Sequence, residues 1–198
     1  FWHLPHVKRF LQVFYLVELM MNKEQFQQLK EDELVNEVLI PLFRRMEYKE
    51  VFKHHGGSGE KGKDVVFWEP HVIGGRKNYA VVAKAVKLSG KANVASGTAA
   101  EIVMQVRQCF GNDYLDSITA EPQKVHECWV VSNKAIPKEA IDAISGAIGP
   151  DCARNTRFLN GDELWHLVEK HLLPLTSLIE QANKSINTID THYKPVIT

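Results

Sequence analysis

Asp64 and Lys84 are the two residues whose types and placing offer this chain a reaction. Asp64 closes the glycine-rich turn Gly57-Ser58-Gly59-Glu60-Lys61-Gly62-Lys63 and opens the apolar run Val65-Val66-Phe67-Trp68. Lys84 ends a second run, Tyr79-Ala80-Val81-Val82-Ala83. Two strands that set one carboxylate beside one lysine form the skeleton of a metal-dependent phosphodiesterase, and the same pair is also common as a strand-end carboxylate and a surface lysine. Mg²⁺ seeks oxygen and is usually held by one or two carboxylates together with substrate phosphate. Such an ion polarises a phosphoryl group and acidifies a bound water, while the ammonium steadies charge near the attacked phosphorus. Strand alternation puts Val82 and Lys84 on one face, with Ala83 on the other.

The same turn mimics the phosphate-binding pattern G-x-x-x-x-G-K-[ST], and two objections remove that reading. Asp64 stands where a Ser or Thr hydroxyl should meet the metal, and a β-run follows where a helix N-terminus should receive phosphate. His54 and His55 beside the turn read as a solvated pair. His126, Trp68 and Trp129 read as strand and core residues.

The elements that must carry Asp64 and Lys84 are legible from periodicity. From Glu31 an amphipathic helix buries Leu34, Val35, Val38, Leu39, Leu42 and Met46, with acids at its start and Arg44 and Arg45 near its end, as the helix dipole favours. Pro41 lies inside it and predicts a kink. Strands are expected at Tyr48–Phe52, Asp64–Trp68 and Tyr79–Val86, the last apolar enough to be buried on both faces. A helix follows from Thr98, then a strand at Val125–Ser132, a helix opened by Pro137, a short strand at Thr156–Leu159 and a helix through Leu164–Leu172 closed by Pro174. Three strands in a meander, followed by alternating helices and strands, make an α/β fold with a mixed sheet of about five strands between helices.

A chain of 198 residues with 44% hydrophobic and 24% charged content suits one globular domain with appended helices. The expected division is an N-terminal helical extension over 1–30, the α/β domain over 31–174, and a C-terminal helical extension over 175–198. The apolar stretch Phe10–Met21 is too short for a membrane span and lacks a small-residue cleavage site. It fits a helix packed on a neighbouring domain or subunit, in a chain expected to be part of a larger protein. Three dispersed cysteines, Cys109, Cys128 and Cys152, fit neither a disulfide framework nor a CxxC metal site, and point to reduced thiols in a cytoplasmic protein. Net charge is zero. Arg44–Lys91 nevertheless carries eleven Lys and Arg against five Asp and Glu, a local +6 that leaves −6 to the remainder. That basic sector suits a phosphate-facing surface.

Taken in order, the acidic first helix with Glu37, RRMEYKEV, the turn ending Gly62-Lys63-Asp64, YAVVAK, IVMQVRQCFG, VVSNKAIPKEA and RFLNGDELWHLV resemble the Mrr-type restriction endonuclease domain. That domain is a branch of the PD-(D/E)xK nuclease superfamily. The likeness covers most of Glu31–Pro174 and implies a restriction-endonuclease-like three-layer sandwich. It implies Asp64 as the metal-binding aspartate, Lys84 as the catalytic lysine, the Ala83 carbonyl as a backbone ligand, and Glu37 and Gln105 as helix residues near the site. It further implies Mg²⁺ (or Mn²⁺) as cofactor, DNA as substrate, a restriction or anti-phage setting, and a homodimer or a larger multidomain protein. Val82 departs from the pattern, which places Glu, Asp or Gln there. An acid from elsewhere, Glu37 or Glu60, is then needed to fill the gap. The alternative is a catalytically degenerate domain that binds nucleic acid or a partner without cleaving.

Overall fold

The strand that ends in Lys84 is buried from Asn78 onward, and the rest of the chain is arranged to cover it. The computed structural model describes residues 21–54, 62–91 and 97–173. The expectations for residues 1–20, for His55 and Glu60 in the glycine turn, and for 174–198 lie outside the described residues. In chain order the strands are β1 (Lys49–Lys53), β2 (Val65–Pro70), β3 (Arg76–Lys84), β4 (Tyr114–Leu115), β5 (Pro122–Gln123), β6 (Glu127–Ser132) and β7 (Thr156–Leu159). The helices are α1 (Lys23–Gln28), α2 (Glu31–Glu33), α3 (Ile40–Arg45), α4 (Ala99–Gly111), α5 (Lys138–Ile148), α6 (Pro150–Arg154) and α7 (Gly161–His171).

One five-stranded sheet runs in the order β1-β2-β3-β6-β7. The β1–β2 and β2–β3 pairs are antiparallel, whereas β3–β6 and β6–β7 are parallel. Hairpin connections can only return the chain antiparallel, and a helical crossover is what permits a parallel neighbour. The mixed sheet thus follows from a meander that gives way to alternating helices and strands. β3 ends at Lys84, two residues earlier than its apolar pattern predicts. The sequence gives no hint of β4 and β5, which pair only with each other.

Alternation along β3 sorts its side chains into two cores. Tyr79, Val81 and Ala83 join Phe26, Leu34, Val38, Phe43 and Trp165 on the face covered by α1, the first long helix and α7. Ala80 and Val82 join Val66, Ile102, Val106 and Ile144 on the face covered by α4 and α5. The result is three layers, with a sheet between two sets of helices. Among the described residues no helix is long and apolar enough to cross a membrane.

The first long helix, residues 31–45, is not α-helical throughout on its approach to Pro41. A π-helical segment, Leu34–Leu39, joins α2 to α3. The proline ring would strike the carbonyl of Glu37, four residues back, and widening the turn relieves that clash. Leu34, Val35, Val38, Leu39, Leu42 and Phe43 all remain buried.

Candidate active site

Asp64 is positioned by its two predecessors. Gly62 has φ +75°, and a Cβ there would lie 2.2 Å from the Gln105 carbonyl oxygen, so only glycine lets the loop press on the α4 backbone. Lys63 turns inward, is 1% exposed, and donates from Nζ to the Asn112 carbonyl at 2.8 Å. That carbonyl lies at the C-terminal end of α4, where the helix dipole favours a cation. The chain then enters β2 at Asp64. The Asp64 N–H donates to the Val81 carbonyl (2.8 Å), its carbonyl accepts from the His54 N–H (2.9 Å), and its Oδ2 accepts from the Ala83 N–H (2.7 Å).

Along a strand, one residue's N–H and C=O leave by the same edge. The Ala83 carbonyl therefore faces the edge where the Asp64 carboxylate sits. The Asp64 carboxylate and the Ala83 backbone are thus on the same strand edge.

Lys84 is the next residue, and its side chain is only 4% exposed. Its Nζ lies 3.3 Å from Glu31 Oε2 and 3.2 Å from Glu101 Oε1. Burial alone would push the ammonium pKa down. The combined attraction of Glu31, Glu101 and Asp64 outweighs it and leaves the pKa raised. Lys84 is therefore a fixed cation at neutral pH. Two carboxylates, Glu31 and Glu101, lie within ion-pair distance of this one ammonium, and Asp64 adds its attraction from farther along the strand pair.

Glu101 is held as firmly as Asp64. It sits in the first turn of α4, where the helix dipole favours an acid, and its Oε2 accepts from the Gly97 N–H at 2.6 Å. Gln105 stands four residues on, hence on the same face of α4. Its Oε1 is buried and finds no hydrogen-bond partner, leaving an acceptor available to a water or an ion.

Of the residues named from sequence, the fold brings Asp64, Ala83 and Lys84 together and sets Gln105 on the neighbouring helix. Glu37 is exposed on the π-helical segment. The first-helix acid at Lys84 is instead Glu31, six residues earlier and at the start of the helix. Val82 is fully buried in the α4-side core and offers nothing to the site. Sequence reasoning missed Glu31 and Glu101. The signal for Glu101 was the capping pattern Thr98-x-x-Glu101 at the start of an apolar helix, with Gln105 one turn later.

Among the described residues no three His, Cys, Asp or Glu side chains converge as a ready-made ion cage. Mg²⁺ does not need one, because it keeps several waters and takes one or two carboxylates plus phosphate. Asp64, the Ala83 carbonyl and the remaining lone pairs of Glu101 are the oxygens that could serve such an ion here.

No family model matches the chain, and comparison with the curated proteins and with the solved structures returns no match.

Proposed function

We propose that this chain carries a Mg²⁺-dependent nuclease domain of the restriction-endonuclease-like class, hydrolysing DNA phosphodiester bonds. One observation supports it above the others: a buried Lys84 paired with both Glu31 and Glu101, and further attracted by Asp64, carboxylates from three separate elements. A structural lysine needs one counter-ion. Three carboxylates exceed that need and match a site that shares its negative charge with a metal.

In this reading Asp64, the Ala83 carbonyl and Glu101 would hold the ion, with Glu101 standing in for the acid that Val82 lacks. Bound there, the metal would polarise the phosphoryl group and supply an acidified water. Lys84 faces the attacked phosphate and stabilises the extra negative charge of the transition state. Glu31 and Glu101 favour its charged form, so in this reading the water proton leaves through a carboxylate or through solvent. The new bond joins water oxygen to phosphorus, and the leaving ester oxygen takes up a proton. Glu31 keeps the ammonium in place, and Gln105 Oε1 accepts a hydrogen bond from the attacking water. One centre cuts one strand, so duplex cleavage needs a second copy.

The test is plasmid cleavage with Mg²⁺ or Mn²⁺ by the parent, Asp64→Ala, Lys84→Ala and Glu101→Gln, each checked for folding by circular dichroism. Loss of cutting in all three folded variants supports the assignment, and equal cutting by all four proteins overturns it. A second reading, a domain that binds DNA without cleaving, is favoured by one fact. Glu101 is already engaged by Lys84 and by the Gly97 N–H. A parent that binds DNA but never cuts with either metal selects that reading.

A further inference from the structure

Beyond Lys84 the chain builds a second feature that shares only Glu31 with the catalytic reading. A cleft of about 360 Å³ opens at the carboxyl ends of the parallel strands β3 and β6, the region where ligands bind in open α/β sheets. One wall is Ala85 and Val86 at the exit of β3 and Lys134 at the exit of β6. The other is the strap from Gln27 to Glu31.

Both walls are fixed to each other. The Ser132 hydroxyl donates to the Val86 carbonyl (3.0 Å) and accepts from the Lys134 N–H (3.0 Å). Asn133, fully buried, donates from Nδ2 to the Phe26 and Leu29 carbonyls, each at 3.0 Å. Beneath it Gly161 approaches so closely that a Cβ would lie 2.5 Å from the Asn133 carbonyl oxygen, and the Gly161 N–H donates to the Lys134 carbonyl at 2.8 Å.

The charges in this cleft are sorted. Its one acidic lining residue, Glu31, is turned to Lys84. Its two cations, Lys30 and Lys134, have no carboxylate partner among the described residues, whose ion pairs engage other lysines and arginines. Gln27 and Gln28 add amide donors beside them. A negative pole at the metal end and a positive pole alongside match a phosphodiester chain whose attacked phosphate meets the ion while its neighbours meet lysines.

We infer that this cleft carries the DNA strand next to the attacked bond, with Lys30 and Lys134 binding the flanking phosphates. The inference rests on the nuclease reading. The probe is a short fluorescein-labelled DNA, duplex or single-stranded, followed by anisotropy across a salt series without divalent metal. Each lost phosphate contact lowers the slope of log K against log salt by about 0.9 for duplex or 0.7 for a single strand. Lys30→Ala/Lys134→Ala is expected to lower it by about 1.8 or 1.4 and to weaken binding. The charge-matched control is Lys49→Ala/Lys124→Ala, two exposed lysines at the opposite end of the sheet, level with Trp68 and Asn78. It should leave the slope within a few tenths of the parent value. Equal slopes for the two double variants overturn the inference. If the parent cuts plasmid while the slope is unmoved, the cleft assignment alone falls. If the parent neither binds nor cuts, the nuclease reading falls and takes this inference with it.

Discussion

Val82→Glu is the substitution that separates two accounts of the missing acid. If position 82 faces the metal, a glutamate restores a ligand and costs little. The structure puts Val82 at 0% exposure among Val66, Ala80, Ile102 and Val130, so a glutamate there must fold protonated. A carboxyl so buried has its pKa pushed above 7. Taking up that proton costs about 4 kcal/mol at pH 7, from roughly 1.4 kcal/mol per pH unit above a normal glutamate pKa of about 4.3. Overpacking adds about 1–3 kcal/mol. Together these approach the whole stability of an ordinary domain, about 5–15 kcal/mol. The sign is fixed by the raised pKa. The folded state binds the extra proton, so the penalty is small near pH 4 and grows as pH rises towards the folded pKa. Urea unfolding of the parent, Val82→Gln and Val82→Glu at pH 5 and pH 7 measures this, the glutamine carrying the crowding without the titration. The glutamate variant should lose about 2–3 kcal/mol more than the glutamine variant between the two pH values. Val82→Glu matching the parent at both pH values and cutting DNA faster would refute the argument and return position 82 to the metal site.

Four further outcomes follow from the geometry. Glu101→Gln keeps an acceptor for the Gly97 N–H and should fold, but lower plasmid cleavage at least about 100-fold and raise the Mg²⁺ needed for half-maximal rate. Gly62→Ala meets the Gln105 carbonyl at positive φ and should cost about 3 kcal/mol, seen in calorimetry as a melting temperature lower by about 10 °C. Asn133→Asp sets a carboxylate against the Phe26 and Leu29 carbonyls and should cost about 3 kcal/mol or more in urea unfolding. Asp116 has its carboxyl pKa held well below the ordinary range by the Thr119 N–H, the Arg76 guanidinium and the Ile118 N–H. A depressed folded pKa gives stability that is present above pH ~4 and lost as pH falls further. Asp116→Asn should therefore flatten the acid limb between pH 4 and 2 relative to the parent in denaturant midpoints.

The main sheet was readable because each of its strands is an apolar run bounded by turn residues, and the helices because their apolar stripes recur at helical spacing. Tyr114–Leu115 and Pro122–Gln123 escaped notice because two-residue strands have no period. What makes them is the Asp116 side chain accepting from the Ile118 and Thr119 N–H groups, a contact without a run to announce it. In the site, Asp64 and Lys84 were legible because strand neighbours meet through local hairpin geometry. Glu31 and Glu101 were not, since each reaches Lys84 from a helix start whose approach only tertiary packing decides. Alternation did pair Val82 with Lys84, and both do share the α4 side of β3. Pattern alone could not tell that this face is dry core at position 82 and opens only at the strand end.

Asn133 also bears on the order in which the molecule is assembled. It grips Phe26 across a separation of 107 residues, and Gly161 packs directly against its carbonyl. A nascent chain emerging from its N-terminus displays Asp64 and Lys84 early, yet β3 then lacks its β6 neighbour and Glu31 lacks its anchor. Such distant partners fold late, so the acid ring around Lys84 should close only once residues beyond 161 are released. Chains ending before Gly161 should therefore show little protection of the Lys84 segment in hydrogen exchange, and strong protection there would contradict this order. An unfinished copy would then hold the pieces of the site without the site, leaving the proposed chemistry to completed molecules alone.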